Sequence, residues 1–147
     1  MRIMLVPSLL LLGASSLPAQ GTPVARVAPA APLRWGPAPA VFPPGAKMAV
    51  VSGDPSKAGS FTIQLAMPDG YRIPPHFHPT DEAVEVKQGT FLFGMGDTLD
   101  AAKTQAMKAG ARGSVAANMH HFAIARGATV VVVTAVGPFA MTYVKQP

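Results

Sequence analysis

At 147 residues, 49% of them apolar, the chain is sized for one domain with a real hydrophobic core. Its formal net charge of +5 comes from twelve basic residues scattered between Arg2 and Lys145 without a run or a helical stripe, which argues against a nucleic-acid partner. It has no cysteine, which excludes disulfides, thiolate metal ligands and a cysteine nucleophile.

The N-terminus, "MRIMLVPSLLLLGASSLPAQG", carries one positive charge, an apolar stretch from Ile3 to Leu12, and small residues ending near Ala19. This is the layout of a secretory signal over residues 1–19, with cleavage near Ala19–Gln20 and a periplasmic or secreted product. The alternative, an anchor helix, is weakened because the run is half of the roughly 20 residues a span needs and contains Pro7. No stable membrane insertion is therefore expected after cleavage. Residues 20–46 shift to Pro, Ala and Gly, a composition that favours extended, polyproline-like backbone. This leader is read either as a spacer whose last part lies along the domain or as a docking strip anchored by Trp35 and Phe42. The folded domain is expected over 47–147.

Within it, "KMAVVSG", "SFTIQLAM", "EAVEVKQ", "TFLFGM", "GSVAA", "HFAIAR", "ATVVVVTAV" and "PFAMTYV" read as short strands between Gly-, Pro- and Asp-containing turns. One exception is predicted: "DTLDAAKTQAMKAG" reads as a short helix capped by Asp97 and stopped at Gly110. The fold class is all-β, a sandwich or barrel.

The densest chemistry lies in "PPHFHPTDEAVEVKQG", Pro74 to Gly89, which gathers two of the four histidines and three of the seven acids. In an extended segment His76 and His78 point to one face. Beyond the bend at Asp81, Glu82, Val84 and Val86 share a face opposite Glu85 and Lys87, which turns the Glu82 carboxylate inward. Two imidazoles and an inward carboxylate suit a first-row divalent metal and leave room for a fourth ligand. A metal-free, hydrogen-bonded cluster is the structural alternative.

These residues resemble the cupin superfamily, whose first motif reads G-x5-H-x-H-x3,4-E-x6-G. Gly70, His76, His78, Glu82 and Gly89 match it throughout. The second motif, G-x5-P-x-G-x2-H-x3-N, is similar to the segment from Gly110 to Ala125. There Gly110 and His121 are kept, while Ala116, Asn118 and Ala125 stand at the proline, second glycine and asparagine. Asn118 is a mild departure because Asn tolerates left-handed dihedrals. The resemblance implies a double-stranded β-helix, the jelly-roll barrel, with a metal held by His76, His78, Glu82 and His121. All four histidines of the chain fall in the two motif segments.

His120 is expected to point away from His121, at the rim of a pocket. It and Glu82, if Glu82 leaves the metal, are the candidates for catalysis, with Tyr71 and Arg72 as the other polar groups nearby. Asp81 reads as a turn residue or as a partner of a ligand imidazole. Phe77, Phe91, Phe93, Met95 and Phe122 read mostly as core, a minority lining a pocket. The cofactor is a divalent transition metal, since Mn, Fe, Co, Ni, Cu and Zn all accept such ligands. Two functions are open: a metal-dependent oxygenase acting on a small aromatic or enol-like compound, or a non-catalytic small-ligand or metal-binding protein or sensor. The partner in either case is a small molecule, and a homodimer is expected by resemblance, with "VVVVTAVGPFAMTYV" as dimer surface or core strand.

Overall fold

The structure, a computed structural model, describes residues 31–145. The expected signal segment and residues 20–30 of the leader lie outside the described residues. Nine strands follow one another: β1 (Gly36–Pro37), β2 (Lys47–Ser52), β3 (Gly59–Met67), β4 (Arg72–Phe77), β5 (Glu82–Met95), β6 (Thr104–Lys108), β7 (Arg112–Val115), β8 (His121–Gly137) and β9 (Thr142–Tyr143). Their pattern follows from alternation. In β3, Phe61, Ile63, Leu65 and Met67 are buried while Thr62, Gln64 and Ala66 are only partly covered, the period-two signature of a half-buried strand.

The strands pair antiparallel around β8. Its C-terminal half joins β3 on one edge and the start of β5 on the other, and its N-terminal part joins β4 and the end of β5. β2 extends the sheet from β3, β1 from β2, and β9 from β4, while β6 and β7 lie along β5. The curled sheet closes into a jelly-roll barrel. Its interior is filled by Phe61, Ile63, Val86 and Val131, each essentially removed from water and each contributing about 1.5–3 kcal/mol by burial.

Two expected turns prove to be kinks inside longer strands. β5 runs through Gly89 (φ 75°) and β8 through Gly127 (φ 72°), with shifts of register around Gln88. A glycine bulge bends a strand without ending its pairing, so a single strand serves both sides of the barrel. At Gly89 a Cβ would also stand 2.5 Å from the Ala128 carbonyl oxygen, so the close backbone approach requires glycine.

The helix expected between Asp97 and Gly110 does not form. A single 3-10 turn, Ala101–Lys103, is capped by Asp100, whose Oδ1 accepts the Ala102 N–H at 2.9 Å. The chain then pairs as β6 with Thr90–Gly94 of β5 and buries Met107. Helix propensity differs by only a few tenths of a kcal/mol per residue, and an open strand edge with an apolar face beneath it outweighs that.

The described part of the leader packs on the barrel. β1 pairs with β2, Phe42 is buried and stacks on Phe139 (centroids 5.8 Å apart), and the Tyr71 and Tyr143 hydroxyls donate to the carbonyls of Pro43 and Val41.

Candidate metal centre

Pro74 and Pro75 cannot donate to a ladder, and β4 slips register against β8 between Ile73 and His76. The slip turns Arg72 to solvent and His76 inward, so Arg72 is removed from the site. His76 stands opposite His121 on β8, with ring centroids 4.2 Å apart. His78, just past β4, comes 5.0 Å from the His76 ring and 5.3 Å from that of His121. All three are buried, and one nitrogen of each lies within 4.8 Å of the others.

Glu82 opens β5 and turns inward with Val84 and Val86, while Glu85 faces out to Lys87 and Arg112. Its Oε2 lies 3.5 Å from His78 Nε2 and 3.3 Å from His121 Nε2.

The chemistry of the rings fits a metal. His76 Nδ1 donates to the Pro74 carbonyl (2.8 Å), His78 Nδ1 to that of Ala140 (2.7 Å) and His121 Nδ1 to that of Met119 (2.9 Å). A carbonyl only accepts, so each Nδ1 carries a proton, and Nε2 is the nitrogen left to ligate a metal. Burial pushes the His76 pKa down to about 4, assisted by the neighbouring His121, which keeps that ring neutral at neutral pH. Burial works against the charge on Glu82. A proton on His121 Nε2 shared with the carboxylate, and the charge of the surrounding rings when they are protonated, outweigh it and hold the carboxyl below the usual range.

The two motif segments are bound to each other through backbone. The Asn118 N–H donates to the His78 carbonyl (2.7 Å), and the Ala117 N–H to Asp81 Oδ1 (2.8 Å). Asp81 thus fastens the turn of the second motif, and among the described residues it makes no hydrogen bond to a ligand ring. Asn118 has φ 63°, the left-handed conformation glycine would supply at that position. Ala125 is buried, and its backbone exchanges hydrogen bonds with Tyr71 and Gly70.

His120 does not join the cluster. Its Nδ1 pairs with Asp97 Oδ1 at 2.6 Å, and its half-exposed ring stacks on Phe77. Tyr71 is buried with its hydroxyl bound to the leader. The segment that sequence reasoning missed is Phe139–Ala140, which supplies the carbonyl that orients His78 and a ring 5.5 Å from it. A backbone acceptor leaves no mark on a sequence, so no signal could have found it.

The cluster lies in a cavity of about 30 Å³ walled by apolar side chains, among them Ile73, Phe91, Phe93 and Met141. A larger hollow, about 620 Å³, lies at the leader between residues 40–44 and Pro74, Pro75, Thr98, Leu99, Tyr143 and Val144. It contains no convergent set of titratable groups, so the chemistry belongs to the smaller cavity.

No family model and no curated protein sequence matches the chain. Solved structures do. A candidate acetylacetone dioxygenase from Methylibium petroleiphilum PM1 superposes with TM-score 0.60 at 23% identity, over 77% of this chain and 76% of that one. An RmlC-like cupin from Shewanella frigidimarina NCIMB 400 superposes with TM-score 0.52 at 16% identity, over 63% and 76%. The chain has the cupin fold. Oxalate oxidase is also similar to this chain, with TM-score 0.50 at 24% identity, over 58% of this chain, which spans only 46% of the oxidase chain. In this chain His76, His78 and His121 form a set that can hold a metal ion, with Glu82 beside two of them.

Proposed function

We propose that this cupin is an exported metal-dependent oxygenase acting on a small aromatic or enol-like compound, with His76, His78, Glu82 and His121 binding one divalent transition metal. One observation carries the reading: three imidazoles, each tied through Nδ1 to a backbone carbonyl, converge with a carboxylate in an apolar cavity. A metal held there supplies open coordination positions and stabilises developing negative charge. The chain's own residues do the rest. The imidazoles bind as neutral donors, Glu82 balances the metal's charge and is, among the described residues, the one inward carboxylate able to take a proton, and the phenylalanines exclude water. Proteins that share the fold, among them the candidate acetylacetone dioxygenase and oxalate oxidase, are in keeping with oxidative chemistry.

The test is oxygen uptake by Fe(II)- and Mn(II)-loaded protein against phenols, flavonols and β-diketones. Consumption that depends on both metal and substrate supports the oxygenase. A second reading, capture of a metal or small ligand without turnover, is favoured by the size of the cavity, about 30 Å³, which is little more than an ion and a water. Ligand binding with no oxygen consumed selects it. Export rests on the N-terminal segment, and mass spectrometry of the exported chain should find it beginning at or near Gln20; an intact Met1 overturns this part. Homodimerisation belongs to the same proposal, supported by exposed Val50 and Val51 on β2 and Val136 on β8, and sizing chromatography decides it.

A further inference from the structure

A cavity of about 30 Å³ cannot take an organic molecule, yet a second hollow of about 220 Å³ adjoins it, between β5, β6 and β7. The second hollow exists for two reasons. The β6–β7 segment carries small residues, Ala106, Ala111, Gly113 and Ser114, along the hollow and leaves it unfilled. β6 and β7 each pair with β5 and not with each other, so no ladder closes the wall between them.

Val84 and Phe93 line both hollows. Val84 is buried, whereas Phe93 is only half-buried, and its ring stacks on that of His121, centroids 5.5 Å apart and planes 30° from each other. One aromatic side chain with a free side toward the outer hollow therefore divides the metal cluster from a space large enough for a small molecule.

We propose that the outer hollow binds the organic substrate and that Phe93 is the gate joining it to the metal cavity. This rests on the metal-centred reading above and narrows its substrate class. A volume of about 220 Å³ is below the usual range of roughly 300–1,000 Å³ for ligand pockets, which selects a single-ring phenol or catechol, or an enolised diketone, over a multi-ring flavonol. The flat face of such a molecule packs on Val84, Phe93 and Met107, and its oxygen leads toward the cluster. A polar substituent meets Gln105 and Arg112 at the mouth, where Arg112 is already paired with Glu85 at 3.1 Å.

The test uses protein loaded with Co(II), whose visible spectrum reports ligands at the metal, with 4-nitrocatechol as the bulky probe and azide as the slender one. Elemental analysis precedes any probe. Gly113→Leu directs a side chain toward Met107, whose Cε lies 3.3 Å from the position of the new Cβ, and should weaken 4-nitrocatechol binding at least tenfold while leaving azide binding within twofold. Phe93→Ala should keep its cobalt and accelerate 4-nitrocatechol association severalfold. Ala111→Phe fills the same hollow from a half-buried position before β7 and replaces Gly113→Leu if the far-ultraviolet circular dichroism of that variant shows it unfolded. If the wild type holds cobalt and all variants bind 4-nitrocatechol as it does, or if the wild type binds azide but never 4-nitrocatechol, the gate is overturned and the metal reading stands. A wild type that holds no cobalt overturns the metal reading, and the gate with it.

Discussion

Each imidazole of the cluster is aimed by one carbonyl, and the three carbonyls come from different places: Pro74 in β4, Met119 in the turn before β8, and Ala140 in the segment before β9. The rings are thus oriented before any metal arrives, which lowers the cost of binding one. Replacing His76, His78, Glu82 or His121 by Ala should sharply reduce metal content measured by elemental analysis, while His120→Ala retains most of it. Stability should follow. Metal at about 100 times its Kd adds about 2.7 kcal/mol to the wild type and much less to those four variants, read as the shift in thermal midpoint on metal addition. Retention by His121→Ala with loss in His120→Ala would reverse the assignment on β8.

At the same scale, Tyr71 links pH to the leader. Burial pushes its pKa up to about 12, with Tyr143 adding to the effect, and only the protonated phenol can donate to the Pro43 carbonyl. A raised folded-state pKa means that this contribution is fully present below the ordinary value near 10 and is lost as pH rises through about 12. Denaturant midpoints should therefore fall between pH 10 and 12 more steeply in the wild type than in Tyr71→Phe. Parallel curves would show that this phenol does not govern the alkaline limb.

Among the elements, the decisive features are kinks rather than straight runs. The slip at Pro74–Pro75 brings His76 to the face of His121, and the left-handed Asn118 lets the second motif turn into β8. Asn118→Gly should leave the thermal midpoint near the wild-type value, whereas Asn118→Ala should cost about 1 kcal/mol, because a Cβ without a compensating polar group is strained at positive φ. Gly94 of β5 gives a harsher case. A Cβ there would stand 2.2 Å from Cζ of Phe122, a ring with no exposure, so Gly94→Ala should destabilise by about 1–3 kcal/mol or prevent folding. A midpoint unchanged in Gly94→Ala would mean that the Phe122 ring can move.

For the whole molecule, the leader divides in two. Deleting 21–32 should leave the thermal midpoint almost unchanged, since that stretch has no pattern for burying a core face. Extending the deletion through Gly45 removes β1 and the buried Phe42 from its stack on Phe139, and should cost about 3 kcal/mol or more. Equal midpoints for the two truncations would show that the contacts of Phe42 contribute nothing to stability.

Much of the site was legible because its signals are local. His76 and His78 are two residues apart, Glu82 follows one bend later with Val84 and Val86 on its face, and strand alternation alone predicts that all three turn inward. The pairing of His121 with this group came from motif spacing, and the all-β class from the density of turn residues. What the chain could not display locally was decided by tertiary structure. "TQAMK" belongs to a stretch that is a good helix by propensity but lies as a strand on β5, because an unfilled edge and the burial of Met107 outweigh small intrinsic preferences. Gly89 and Gly127 look like turns and are bulges, because strands on both sides continue to pair with their neighbours through them. The tautomers of the three histidines and the inward path past Phe93 depend on carbonyls and small side chains brought together from distant positions, and neither a carbonyl nor an unfilled volume is written in any one stretch of sequence.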